Sequence, residues 1–263
     1  MEWRQIKFHA FFWIESKRRF FVVEGLRVPY SSQNPSFPST FERVLFQPSI
    51  RDPYAIEEES FRIIDSELSP HFGFNPEEHA LVRRVIHATA DFDYARNLRW
   101  HPGAFEAFRQ AVRDKAPMVC DVQMVQSGVS KVRLDKFGMK ILCPIGDADV
   151  AEAAKAAGHT RAIEAIRKVK RMGQGGVLAI GNAPTALTEA IRLVREEGWR
   201  PHLIIGVPVG FVSAAESKDS LAAGDANPVP YITCVGRKGG SPAAVSAVNA
   251  LLLMVEGGSQ VKG

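Results

Sequence analysis

The sequence predicts an α/β fold: a single doubly wound, mainly parallel sheet with helices on both faces and an added N-terminal helical region. Three observations carry that prediction. Five short apolar runs rich in β-branched residues, Met118–Val122, Ile141–Ile145, Val177–Ile180, Leu203–Val207 and Tyr231–Val235, read as strands covered on both faces. Helical stretches separate most of them, at 149–157, 160–172, 184–197, 213–223 and 241–256. Gly198 stands where a helix C-terminal glycine belongs. No internal repeat is present.

Taken in order, residues 1–28 interleave aromatics (Trp3, Phe8, Phe11, Phe12, Trp13, Phe20, Phe21) with the basic cluster Lys17-Arg18-Arg19. A Pro- and Ser-rich stretch from Pro29 to Thr40 follows and reads as a loop or linker. Residues 1–45 are therefore expected to form an N-terminal extension, poorly ordered rather than a membrane-surface or partner-binding appendage. The body, 46–263, is expected to hold the chemistry. Asp52-Pro53 gives an N-cap with proline at the first helical position, and Ile56, Phe61, Ile63, Ile64 and Leu68 continue that helix. Asn75-Pro76-Glu77-Glu78 repeats the signal, with carboxylates where the helix dipole favours them. A third helix is expected after Pro102, with Phe105, Phe108 and Val112 on one side.

Composition sets the outer limits. With 46% hydrophobic and 24% charged residues, the chain is neither a disordered tail, a collagen nor a disulfide-stapled mini-domain. Cys120, Cys143 and Cys234 lie far apart without a CxxC pair, which argues against a disulfide framework or structural zinc and for a reducing, cytoplasmic setting. No run approaches membrane-spanning length. The net charge is +4, but residues 1–45 hold seven Lys/Arg against four Glu, so the body is nearly neutral and offers no footprint for nucleic acid.

In such sheets ligands bind outside the carboxyl ends of the strands. That rule brings together three loops: Gly181 to Ala186, Pro208 to Ser213, and Gly236 to Ser241. Each follows a strand, leads into a helix, and offers glycines, hydroxyls or cations at a helix N-terminus, where anions bind readily. Standard catalytic signatures are missing. There is no GxGxxG, Walker A, GxSxG, S-x-x-K or HExxH pattern, and no acid–histidine cluster with metal spacing. One histidine stands out. On the helix from Pro76 the apolar stripe runs through Leu81, Val82, Val85 and Thr89, and His87 lies opposite it, with Arg83 and Asp91 one turn to either side. Two readings compete: a solvated polar face, or a pocket or interface histidine whose charge is tuned by Asp91.

The segments IEEESFRII (Ile56 to Ile64), RVIHATADFD (Arg84 to Asp93), GHTR (Gly158 to Arg161), GNAPTAL (Gly181 to Leu187), GVPVGFVSAAESK (Gly206 to Lys218) and GRKGGS (Gly236 to Ser241) resemble the precorrin-8X methylmutase family, in order, from about residue 48 to about 256. The resemblance implies a cofactor-independent isomerase that moves a methyl group from C-11 to C-12 of a corrin precursor, giving hydrogenobyrinate or its cobalt form cobyrinate. Any cobalt would arrive within the substrate, and no metal ligands are expected of the chain. It also implies a homodimer, a corrinoid or tetrapyrrole as the small-molecule partner, His87 as the catalytic general acid, and Ser60 and Arg161 at the substrate pocket. Because the substrate carries many acetates and propionates, Arg161, Arg237, Lys238, Lys218 and the helix N-termini after Asn182 and Gly240 become candidate anchors. Thr160, Thr185, Gly210, Glu216 and Ser241 complete the expected substrate-binding set.

Several of these residues have a competing structural reading. Ser60 would bond its own helix backbone, Arg161 would pair with Glu164 or Asp149, Glu216 and Lys218 would be first-turn surface charges, and Asn182 and Thr185 would be caps. Two other functions compete as well: a non-catalytic tetrapyrrole carrier of the same pathway, and a phosphate-ligand enzyme using Gly236 to Ser241 as an anion loop. The stretch His87 to Asp93 favours the cobalt-containing substrate.

Overall fold

The computed structural model describes residues 11–15, 18–23, 26–29, 50–68, 72–173, 175–223 and 228–260. The chain divides into two compact units, residues 1–55 and 56–263. Within the first, β1 (Phe11–Glu15), β2 (Arg18–Val23) and β3 (Leu26–Pro29) form an antiparallel meander in which Phe11 faces Val22 and Phe20 faces Pro29. The rest of the expected extension, together with the Pro29-to-Thr40 linker except for Pro29, lies outside the described residues.

The second unit is built on a six-stranded sheet. Its strands are β4 (Leu98–Trp100), β5 (Met118–Cys120), β6 (Ile141–Leu142), β7 (Val177–Ile180), β8 (Leu203–Gly206) and β9 (Tyr231–Cys234), in the spatial order β4-β9-β8-β7-β5-β6. The five predicted strands are parallel, in the predicted sequence regions. The edge strand β4, antiparallel to β9, was not predicted, because three residues (Leu98-Arg99-Trp100) are too few to show a period. Two predicted strands end early by more than one residue. The first stops at Cys120, where Asp121 turns to bond the backbone of residues 181–183, and the second stops at Leu142, because Pro144 opens a 3₁₀ turn, Pro144–Gly146.

Strand residues alternate between two cores, as a sheet buried on both faces requires. Met118, Cys120, Val177, Ala179, Leu203 and Ile205 join one cluster, while Val119, Leu178, Ile180 and Ile204 join the other. The first face is covered by α1 (Pro53–Leu68), α2 (Pro76–Thr89), α4 (Ala104–Arg113) and α11 (Ser241–Gln260). The second is covered by α8 (Arg161–Arg171), α9 (Pro184–Glu197) and α10 (Ala214–Ala222). Fully burying each such aliphatic side chain contributes about 1.5–3 kcal/mol.

The helix signals act locally as predicted. Asp52 Oδ1 accepts the Tyr54 N–H at 2.8 Å and the Ala55 N–H at 3.2 Å ahead of α1. Asn75 and Glu78 form a reciprocal capping box on α2, and Gly198 closes α9 with φ +66°. Shorter helices fill the remaining connections: α3 (Tyr94–Asn97), α5 (Gln123–Gly128), α6 (Lys131–Phe137) and α7 (Ala148–Ala157). Neither α5 nor α6 was predicted. Both are under two turns long and too short to print a 3.6-residue period.

Candidate functional site

The strand order reverses between β5 and β7, which start crossovers to opposite sides of the sheet. A crevice opens at such a switch point, at the carboxyl ends of the strands. The three loops singled out in the sequence meet there. Gly240 N–H donates to the Val207 carbonyl at 2.9 Å, and Gly210 N–H donates to the Arg237 carbonyl at 3.3 Å. Gly181 sits so close to the third loop that a Cβ would lie 3.0 Å from Ser241 Cα and 3.1 Å from the Gly240 oxygen. Gly239, at φ +156°, admits no side chain either: a Cβ would come within 2.2 Å of the Val207 oxygen.

The third loop also reaches the end of α2. The Lys238 ammonium bridges the carboxylates of Asp91 (2.7 Å) and Asp93, and the Tyr94 hydroxyl donates to the Gly239 carbonyl at 3.4 Å. Hydrogen bonds donated to the two carboxylates, Asp91 foremost, raise the Lys238 pKa, and the same contact holds Asp93 below the usual carboxylate range. Burial pushes the Tyr94 phenol up to about 12, so it stays protonated as a donor.

His87 stands in the last turn of α2, and Asp91 follows past the left-handed Ala90 that ends the helix. Leu81, Val82, Val85 and Ile86 bury the opposite face, and the imidazole is exposed. Its ring packs on Phe61 of α1 at 4.8 Å, and the guanidiniums of Arg83 and Arg84 lie 4.1 and 4.9 Å from the centre of that same ring. Arg83 and Arg84 are in turn paired with Asp65 (2.9 Å) and Glu57 (2.7 Å). Asp91, one of the two neighbours expected beside His87, is engaged by Lys238 instead. Among the described residues none hydrogen-bonds the imidazole.

The remaining predicted residues separate by their surroundings. Arg161 is exposed at the start of α8 with no ion pair among the described residues: Glu164 is taken by Arg167 and Asp149 by Lys168. Arg237 is exposed, its guanidinium 5.6 Å from the ring centre of Phe211, which is itself 85% exposed. Thr160 caps α8 and bonds the Thr185 hydroxyl at 3.0 Å, so Thr185 links two helices rather than capping its own. Asn182 is exposed, and the cap position of α9 falls on Ala183 instead. Glu216 is an exposed first-turn charge of α10, Ser241 opens α11 in a buried position, and Ser60 donates to the Ile56 carbonyl at 2.7 Å, as its structural reading anticipated.

Two proposed anchors are placed otherwise than expected. Lys218 is neither a surface charge nor open to ligand. It is 1% exposed, its ammonium donates to the Lys238 carbonyl and lies 3.6 Å from Cys234 Sγ, and burial pulls its pKa down. It braces the third loop from beneath. The turn leading into α9 is likewise not an open anion site in its backbone amides. Asp121, 1% exposed at the end of β5, accepts the N–H groups of Gly181 (3.1 Å), Asn182 (2.7 Å) and Ala183 (2.8 Å). Burial pushes this carboxyl up, opposed by those three donors. Sequence reasoning missed Asp121, although a signal existed: an acid at the end of an apolar strand run must find a partner.

The comparisons with known proteins agree on one family. A family model described as precorrin-8X methylmutase matches residues 55–254. A cobalt-precorrin-8 methylmutase of Priestia megaterium is 48% identical over 221 residues, covering 84% of this chain and 96% of the relative. One from Leptospira interrogans is 50% identical over 204 residues, covering 76% and 92%. A precorrin-8X methylmutase of Pseudomonas aeruginosa is 42% identical over 202 residues, covering 77% and 96%. The solved structure of precorrin-8X methylmutase from Thermus thermophilus superposes with a TM-score of 0.72 at 42% identity, covering 78% of this chain and 97% of that one.

Proposed function

We propose that this chain, which belongs to the precorrin-8X methylmutase family, is an isomerase that moves a methyl group from C-11 to C-12 of a corrin precursor, with His87 as general acid. The observation that carries the role of His87 is its placement: a solvent-accessible imidazole that hydrogen-bonds no other described residue, four residues before the Asp91–Lys238 contact that brings in the third loop. In the migration one carbon–carbon bond breaks and its neighbour forms, so the product has the mass of the substrate and no redox equivalent is exchanged. Donating a proton or a strong hydrogen bond to the ring nitrogen beside the migration site withdraws electron density from the conjugated system and lowers the barrier. The proton returns to His87 when the methyl has moved. Such catalysis is typically worth about 100- to 10,000-fold, and histidine is the side chain suited to give and recover a proton near neutrality.

The substrate's rim of carboxylates is met by Arg161 and Arg237, the two exposed cations of the predicted set that have no ion pair among the described residues. Ser60, Thr160, Asn182, Thr185, Gly210, Glu216, Gly240 and Ser241 complete the proposed surface, with Lys238 and Lys218 shaping the loop rather than touching ligand. No resident cofactor or metal is needed for this chemistry; cobalt, where present, belongs to the substrate. The names of the Priestia and Leptospira relatives and the His87-to-Asp93 stretch favour the cobalt form. The active particle is proposed to be a homodimer in the cytoplasm. Among the described residues no helix is long and apolar enough to cross a membrane. Anaerobic incubation with cobalt-precorrin-8 and with metal-free precorrin-8X tests the reading. A spectral change at constant mass supports it and identifies the preferred substrate, whereas binding without conversion of either favours the carrier reading.

A further inference from the structure

We propose that Asp121 is a positioning residue of the substrate site, acting through Asn182. It rests on the methylmutase reading of the site. Asp121 ends the strand on one side of the switch point, and residues 181–183 begin the loop on the other side. Both oxygens are used, Oδ1 by Gly181 N–H and Oδ2 by Asn182 and Ala183 N–H. A carboxylate bridging three successive amides beside a helix N-terminus fixes that backbone far more tightly than a side-chain cap on one amide, and the helix dipole favours its charge.

The loop is held from the other side as well. A Cβ at Gly181 would lie 2.9 Å from Ala244 Cβ and 3.0 Å from Ser241 Cα, so the loop rests directly on the start of α11. Between these two constraints stands Asn182. Its own N–H makes the shortest of the three bonds to Asp121, while its side chain is exposed and hydrogen-bonds no other described residue. An amide on a fixed backbone at the carboxyl end of the sheet is suited to donate to a peripheral carboxylate of the substrate. The backbone of the turn leading into α9 cannot do so, because the amides of residues 181–183 already serve Asp121.

The test is a double-mutant cycle on the full-length protein, with KM, kcat and melting temperature measured for wild type, Asp121→Asn, Asn182→Ala and the double variant. Asparagine keeps the volume but turns an amino group toward N–H donors. Each single variant is expected to raise KM about tenfold with kcat little changed, and the double to be no worse than the poorer single. Effects that multiply to about a hundredfold, or a rise in KM for Asp121→Asn with none for Asn182→Ala, overturn the proposal, because Asp121 would then act independently of Asn182. Should Asp121→Asn not fold, Gly181→Ala displaces the same loop from its α11 side with Asp121 intact. It is expected to raise KM in wild type but not in an Asn182→Ala background, and an equal rise in both overturns the proposal. Failure of the wild-type chain to convert either corrin precursor overturns the methylmutase reading itself, which the wild-type control shows separately.

Discussion

Arg161 and Arg237 differ from Lys218 and Lys238 in what surrounds them, although all four are cations beside the same three loops. The arginines keep their guanidiniums in solvent without an ion pair among the described residues, whereas one lysine is buried under the third loop and the other is held by Asp91 and Asp93. Arg161→Ala and Arg237→Ala are therefore expected each to raise KM by about 10- to 100-fold, the equivalent of a hydrogen bond to a charged group, with little change in melting temperature. Lys218→Met is expected to lower melting temperature and kcat together, because the Lys238 carbonyl loses its ammonium donor and keeps only the weaker Cys234 thiol. Steady-state kinetics beside thermal melts check the contrast. The sequence could nominate all four cations but not separate them, since pairing and burial depend on residues up to 147 positions away, as Asp91 and Lys238 show. His87 was legible as the residue opposite an apolar stripe. That Asp91 faces Lys238 rather than His87 was not, because periodicity places residues on a helix face without saying what packs beyond it.

At the scale of elements, the loop from β9 to α11 is tied to the end of α2 by one lysine and two acids. Asp93, held below its ordinary 3.8, contributes above that value and loses its contribution only as pH falls through its lowered folded value. Lys238, raised above 10.5, contributes below that value and loses its contribution only as pH rises through its raised folded value. The tie is therefore intact across neutrality. The ratio of wild-type to Lys238→Met activity is expected to exceed one by a few-fold and to stay flat between about pH 5 and pH 9. A ratio that changes inside that window contradicts the assignment. The long elements were legible because each carries its own start signal, Asp52-Pro53 for α1 and Asn75-Pro76 with Glu78 for α2. The three-residue β4 and the two-residue β6 are specified by what they pair with, which no local pattern records.

For the whole molecule, the sheet order β4-β9-β8-β7-β5-β6 sets β7, β8 and β9 side by side, so the three site loops that follow them share the carboxyl ends of the strands. The doubly wound class was readable because strands buried on both faces must be apolar throughout, as Val177-Leu178-Ala179-Ile180 is. Strand order was not readable, since it depends on crossover handedness and on β4 joining the edge. The family match begins at residue 55, close to the boundary at 55/56 between the two units. A variant comprising residues 46–263, which keeps the Asp52 cap of α1, is expected to retain turnover within about twofold, the scatter of substitutions remote from a site, and to sediment as a dimer. Loss of turnover with an unchanged melting transition would instead assign the first 45 residues a part in catalysis.

The most direct test of the central claim separates binding from turnover at His87. The His87→Ala protein is titrated anaerobically with cobalt-precorrin-8 and then incubated with it, following absorbance and mass together. Retained binding, with the constant-mass spectral change slowed by about 100-fold or more, is the predicted result. Conversion at the wild-type rate by the variant would contradict the assignment of His87 as the acid on which the methyl shift depends.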